Sequence, residues 1–347
     1  MVNKQERIKI TVLSPVHIGN GDVLSPYTDF IINNGRIVIL DSQKLFEKIE
    51  PHVMEKYLQR IKKTKSNNSN KYTLSKLIYE NNIDYTDCEI TESEFIYSNK
   101  QSEIQMHIKT KDQLYIPGSS IKGAIRTTMM YDIHNQIQGC KKKNRLTEKK
   151  ELELINKLDN HNNIMNIFSY NIGLKDAYIE KLDNVSYTNS LLYNMKKSDE
   201  DREQNHIYSQ CIDVGCQLST TISFYKNLDN RYDILRNHID ANVVSTVDLF
   251  KIINNFYYSY IEDEIQELSY TKDLNNVKDR YNKLIEHINK SRNNNKSCVL
   301  RIGSYKTKRN HIVYEKDNIQ SITRNFIVDE NDNIIDVFGW VKLERID

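Results

Sequence analysis

Ser119, Ser120, Lys122 and Arg126 could together hold a phosphate, because hydroxyls and cations crowd the start of one helix. They lie in Leu114-Tyr115-Ile116-Pro117-Gly118-Ser119-Ser120-Ile121-Lys122-Gly123-Ala124-Ile125-Arg126. Leu114 to Ile116 reads as a short strand and Pro117-Gly118 as a turn. Ser119 or Ser120 reads as an N-cap whose hydroxyl satisfies one amide of the first helical turn. The remaining free amides and the positive end of the helix dipole then face outward, and Lys122 and Arg126, one helical turn apart, share a face. Ile121, Ile125 and Met129 form a separate apolar stripe that can anchor the helix.

His17, in Pro15-Val16-His17-Ile18-Gly19-Asn20-Gly21-Asp22, is the tempting general acid or base. No motif places a second histidine beside it, so packing and contact are its expected roles. Asp22, Asp29 and Asp41 are available to a metal, yet each has a simpler explanation as a turn or cap residue. No paired-carboxylate or metal-ligand spacing stands out, and no active site, metal or cofactor is assigned. Two sharper motifs also fail. Gly118-x4-Gly123 imitates a P-loop, but Ala124-Ile125 stands where Lys-Ser/Thr must reach the outer phosphates and magnesium. Ser119-x-x-Lys122 imitates the nucleophile motif of penicillin-recognising enzymes without its partners, since Lys306-Thr307-Lys308 lacks the glycine.

The elements that position these residues follow from pattern. Residues 7–14 alternate as a strand. Strands near 27–32 and 36–40 are joined by Asn33-Asn34-Gly35, a strong hairpin signal. Asp41 is expected to cap a helix through about residue 62, followed by a polar break over 62–71 and a helix near 73–81. Strands near 103–109 and 114–116 precede a helix over 120–138. Residues 139–206 alternate helical pieces with charged spacers such as Lys141-Lys142-Lys143 and read as an insertion or inter-domain region. A β-rich run covers 211–225, and helical periodicity fills much of 229–290. Short strands are expected at 298–302, 312–314, 322–328 and 341–343, with a turn over 329–333. The economical architecture is α+β: two units, 1–138 and 207–347, each a small antiparallel sheet carrying helices, with 139–206 between them.

Composition narrows the class. A chain of 347 residues can bury a sizeable core and hold two domains. Its formal net charge of +2 excludes a uniformly basic coat, so any polyanion binding rests on local patches. A mean hydropathy of -0.66 and 28% charged residues fit a soluble, cytoplasmic chain, and neither a secretory signal nor an apolar run near membrane length is found. The five cysteines, Cys88, Cys140, Cys211, Cys216 and Cys298, are odd in number and scattered, which favours reduced thiols over zinc.

Three separated stretches resemble the RAMP proteins of CRISPR systems: Pro15 to Gly21, Ile116 to Arg126, and Leu300-Arg301-Ile302-Gly303-Ser304-Tyr305-Lys306-Thr307-Lys308. Their order and spacing, Cys211-Ile212-Asp213-Val214 and Phe338-Gly339-Trp340-Val341-Lys342-Leu343 make the chain similar to the Csm subunit family that caps the guide RNA 3′-end in type III-A effector complexes. The third stretch departs from the family pattern, keeping only Gly303 where a glycine-rich loop is usual. Lys306, Lys308 and Arg309 are placed to substitute side-chain charge for backbone contacts.

The resemblance implies two ferredoxin-like, RRM-type domains with helical insertions and a non-catalytic role in an antiviral ribonucleoprotein. Base pairing between guide and target reads sequence there, so the protein need hold only backbone and shape. The implied RNA-binding residues are His17, Gly19, Ser119, Ser120, Lys122, Arg126, Gly303, Tyr305, Lys306, Lys308 and Arg309, with Tyr305 expected to stack on a base. The implied partners are crRNA, a backbone RAMP subunit, a small helical subunit and host nucleases that trim the crRNA during its maturation. The alternative within the same superfamily is an endoribonuclease that processes guide precursor or cleaves target RNA.

Overall fold

The computed structural model describes residues 2–64, 72–95, 102–111, 113–138, 172–179, 185–194, 206–225, 246–268, 274–305 and 323–346. Its central feature is a five-stranded antiparallel sheet in the order β14-β17-β1-β13-β9. These strands are β1 (Val2–Val12), β9 (Ile172–Leu174), β13 (Gln217–Tyr225), β14 (Ser297–Arg301) and β17 (Trp340–Ile346). Alternation decides its faces. Ile8, Ile10 and Val12 of β1, with Leu218 and Ile222 of β13 and Val341 and Leu343 of β17, are buried in the main core, whereas Lys9, Thr11 and Ser219 stay at least partly exposed. Helices α4 (Gly118–Gln138), α5 (Thr246–Leu268) and α6 (Asn275–Asn294) join that core. They do so through Ile121, Ile125 and Met129 of α4, Leu249, Ile253 and Ile261 of α5, and Val277, Tyr281, Leu284 and Ile288 of α6. The apolar stripe read for residues 121–129 is thus the anchoring face of α4.

Because β1 lies between β13 and β17, residues 1–138 and 207–347 share one sheet instead of forming separate ones. The core face of β1 is apolar at Ile8, Ile10 and Val12, and the strands that pair with both its edges come from late in the chain. Within 139–206 the described residues, 172–179 and 185–194, are extended, and the remainder up to residue 205 lies outside the described residues. This stretch supplies β9, β10 (Ala177–Tyr178) and β11 (Val185–Asn194), whose extended backbones are fixed by cross-strand partners distant in sequence.

A second sheet of six strands runs β16-β15-β11-β12-β6-β2. Its other members are β2 (Gly19–Leu24), β6 (Ile104–His107), β12 (His206–Ile212), β15 (Thr323–Val328) and β16 (Ile334–Val337). All its pairs are antiparallel except β12 with β6. Phe95, Ile104, Tyr187 and Tyr208 bury one of its faces against Phe30 and Ile37 of a three-stranded sheet formed by β3 (Phe30–Asn33), β4 (Arg36–Leu40) and β5 (Glu89–Glu94). The β3–β4 hairpin closes through Asn34 and Gly35, both at positive φ, as the sequence signal requires. Asp41 caps α1 (Ser42–Glu47) by accepting from the Lys44 amide, but the helix stops before Pro51, where α2 (Pro51–Thr64) begins anew. A proline locks its own φ and pushes the preceding residue away from helical geometry. With α3 (Leu74–Asn81), these helices pack on β3 and β4 as a small satellite core around Leu45, Tyr57 and Leu77.

Two junctions tie the sheets together. Arg324 of β15 makes a bidentate contact at 2.8 Å with Glu264 of α5, and reaches Glu267 at 3.1 Å. Arg280 of α6 pairs with Asp336 of β16 at 2.8 Å and also donates to the Leu13 carbonyl. The expected strand at 312–314, Cys140 and the charged spacers at 141–143 and 196–203 lie outside the described residues.

Candidate nucleic-acid interface

Backbone hydrogen bonds bring the first and third motif stretches into one interlock. The Ser304 amide donates to the His17 carbonyl at 2.8 Å, Gly339 donates to Pro15 at 2.9 Å, and Ile302 donates to Gly339 at 2.7 Å. Two glycines make this approach possible. A Cβ on Gly303 would run into the His17 carbonyl oxygen, and one on Gly339 into that of Ile302; both residues also have positive φ.

His107 links this interlock to the second motif. Its Nδ1 accepts from the Ile18 amide at 3.2 Å, so Nε2 carries the proton and donates to the Tyr115 carbonyl at 2.9 Å. Burial, despite that bond, pushes its pKa down to about 4 and keeps the ring neutral. Sequence reading missed this residue, because only the pairing of β2 with β6 brings His107 to a ring-centroid distance of 6.1 Å from His17.

His17 itself is only 1% exposed. Its Nδ1 donates to the Gln210 carbonyl at 2.8 Å, and its ring stacks on Tyr305 at 5.5 Å. Nε2 is left as a buried acceptor with no partner among the described residues. Burial lowers the pKa of this ring too. A neutral acceptor repels a phosphate oxygen, so the ring suits packing better than anion contact. Gly19 lies directly above it, where a Cβ would sit 3.1 Å from Nε2.

Tyr305 departs from the expected base-stacking role. Its ring lies between His17 and Phe338, and its hydroxyl engages Gln105 at 2.7 Å and Ser209. Arg301, next to it in the same stretch, is buried and donates to the Phe338 carbonyl and the Tyr260 hydroxyl. Lys306, Lys308 and Arg309 lie outside the described residues. The third stretch, as far as it is described, therefore holds the fold together.

At the second stretch the strand, turn and helix are present, but the cap is different. Helix α4 begins at Gly118, placing Ser119 and Ser120 inside its first turn. The Gly118 amide donates to Asp176 Oδ1 at 2.8 Å, while the Ser120 and Ile121 amides turn back to the Pro117 carbonyl. Asp176 is an acidic partner at the positive end of the helix dipole, so the amide cradle is already partly filled. Ser119 and Gly123 are exposed, and Ser120, Lys122 and Arg126 are half-buried. Burial lowers the Lys122 pKa. What reaches solvent here is a cationic helix flank instead of an open ring of amides.

Asp22, Asp29 and Asp41 serve local structure. Asp22 closes a turn with Asn20, Asp29 accepts from the Ser25 amide at 2.7 Å, and Asp41 caps α1. Cys88, Cys211, Cys216 and Cys298 are buried free thiols; burial pushes Cys211 up to about 12 and Cys216 to about 11. Among the described residues no group of three or more His, Cys, Asp or Glu side chains could hold a metal, and no helix is long and apolar enough to cross a membrane.

With this geometry in place, comparison with known proteins is specific. Residues 9–308 match the RAMP superfamily, and the chain belongs to that superfamily. It is 26% identical over 297 residues to the CRISPR system Cms protein Csm5 of Methanocaldococcus jannaschii, a match covering 82% of this chain and 68% of that protein. It is 30% identical over 137 residues to Csm5 of Streptococcus thermophilus, covering 36% of this chain and 37% of that one. The fold is similar to the crystal structure of T. onnurineus Csm5, with a TM-score of 0.60 over 96% of this chain and 99% of that one at 18% identity. It is also similar to a chain of a Csm–crRNA–target RNA ternary complex of a type III-A system, with a TM-score of 0.66 over 98% and 100% of the two chains, again at 18% identity.

Proposed function

We propose that this chain is a Csm5-type subunit of a type III-A CRISPR ribonucleoprotein, and that it caps the complex at the crRNA 3′-end. The observation that carries the reading is the Csm5 match over 82% of the chain, beside a superfamily match over residues 9–308 that takes in all three motif stretches. The chain binds crRNA and packs against a backbone RAMP subunit and a small helical subunit. By holding the guide end it supports crRNA maturation by host nucleases. Its RNA-contacting surface centres on the α4 flank of Ser119, Lys122 and Arg126, with Gly123 allowing close approach of a sugar-phosphate backbone.

The chain is non-catalytic in this reading. A general acid or base needs a titratable atom within reach of substrate, and both nitrogens of His107 and the Nδ1 of His17 are committed to backbone groups. The fold reading is ferredoxin-like for the five-stranded sheet. Taken in chain order, β1, α4, β9, β13, α5 and β17 follow a β-α-β-β-α-β path with the sheet order β17-β1-β13-β9, all neighbours antiparallel. The six-stranded sheet is the second α+β unit.

The test uses the full chain with labelled guide RNA. Lys122→Ala with Arg126→Ala should weaken binding with little loss of fold, and lower the magnitude of the salt slope by up to about 1.4, at about 0.7 per single-strand phosphate. Unchanged affinity and slope would remove α4 from the interface. Incubation of the wild type with guide precursor and target RNA, with and without magnesium, should yield no cleavage. Robust cleavage that His17→Ala abolishes would replace the capping reading with the endoribonuclease one.

A further inference from the structure

Tyr115 and Tyr178 sit on adjacent strands and face outward together. Tyr115 belongs to β8 (Gln113–Ile116), which pairs with β10 so that Tyr115 opposes Tyr178 and Ile116 opposes Ala177. Leu114, Ile116 and Ala177 are buried, so alternation sends both tyrosines to the solvent side. Their rings stack with centroids 5.1 Å apart and planes at 27°, and Tyr178 remains 40% exposed. The pairing holds this exposed aromatic surface in a fixed orientation.

Lysines lie close by in the chain: Lys175 is exposed three residues before Tyr178, and Lys111 is exposed just after β7 (Lys109–Thr110), whereas Lys109 opposes Leu114 and so takes the other face of the sheet. Helix α4 starts two residues after β8 and is seated on the Leu174-Lys175 backbone, since a Cβ on Gly118 would run into the Leu174 carbonyl. The start of α4 therefore lies against the chain that leads into β10. Asp176, also exposed, gives one carboxylate oxygen to the Gly118 amide. A rigid, exposed aromatic face with lysines nearby in the chain suits a flat, polarisable group, and on an RNA-binding chain that group is an unpaired nucleobase.

We propose that the Tyr115–Tyr178 pair is a stacking platform for one base of single-stranded RNA, next to the phosphate-holding flank of α4. The proposal rests on the RNA-binding reading above and adds a base contact apart from Tyr305, whose ring packs on His17 and Phe338. The contact tolerates any base, because every base offers a π-face.

The test measures affinity of the full chain for a fluorescent single-stranded RNA, and for an oligomer of the same length built from abasic ribonucleotides, across a salt series. Tyr178→Ala should weaken RNA binding roughly 5- to 150-fold with the salt slope unchanged, and Tyr178→Phe should bind like the wild type. On the abasic oligomer, wild type and Tyr178→Ala should bind equally. Lys175→Ala should instead lower the slope by about 0.7. Tyr178→Leu, which keeps apolar cover over Tyr115, should behave like Tyr178→Ala at an unaltered melting temperature. Tyr178→Leu binding RNA as tightly as the wild type overturns the platform, as does an equal loss in Tyr178→Phe. Failure of the wild type to bind RNA at all overturns the RNA-binding reading itself.

Discussion

His107 is a buried post with both ring nitrogens in use. One accepts from Ile18 and the other donates to Tyr115, so it joins two stretches that contribute to the proposed interface. Protonation would turn Nδ1 into a donor facing the Ile18 amide. Its pKa, lowered by burial to about 4 from 6.5, therefore sets a sign. Above pH 6.5 the ring is neutral folded and unfolded, and stability is complete. Below it, the unfolded chain takes up a proton that the native chain refuses until about pH 4, so stability falls across that window by ~3 kcal/mol. His17, also lowered by burial, contributes in the same direction. Denaturant titrations at pH 7 and pH 4.5 should show His107→Gln losing less stability than the wild type over this interval. An identical loss would mean that His107 is not the group responsible. At this scale the sequence was legible for His17 as a packing residue, and blind to His107, whose place depends on strand pairing.

Helix α4 and the Gly303 turn show two opposite uses of glycine. Gly123 is exposed on α4, and a Cβ there would meet nothing within 4 Å. Gly123→Ala should therefore stabilise the fold by about 0.5–1 kcal/mol, as removal of a mid-helix glycine does, while weakening RNA binding if the backbone passes close by. Gly303→Ala should cost about 2–4 kcal/mol, because it strains a φ of +82° and drives a methyl into His17. Denaturant midpoints of the two variants should move in opposite directions. The elements themselves were mostly readable: the Asn34-Gly35 turn, the Asp41 cap and the stripe of α4 are local signals. Three features were not. The break at Pro51 lay inside a continuous apolar pattern, Asp176 caps α4 from the far side of a long insertion, and β9 to β11 are held by partners elsewhere in the chain.

At the scale of the whole molecule, charged joints tie the two large sheets together. Arg324 and Glu264, both nearly fully buried, lock β15 of the six-stranded sheet to α5 on the five-stranded one. Removing Arg324 strands the buried Glu264 carboxylate, so Arg324→Ala should destabilise by about 3–5 kcal/mol, and Glu264→Ala should cost less because Arg324 keeps Glu267. A double-mutant cycle with Glu264→Ala should return a large favourable coupling; additive losses would show that the pair acts only by packing. The insertion of β1 between β13 and β17 has a different consequence, one of timing. On the ribosome, β1 emerges with an apolar face and two unsatisfied edges, and its first flanking strand arrives only with residues 217–225, its second with residues 340–346. Until then the nascent segment is an open edge prone to pairing with other chains, so cellular yield should depend on chaperones that shield it through nearly all of synthesis.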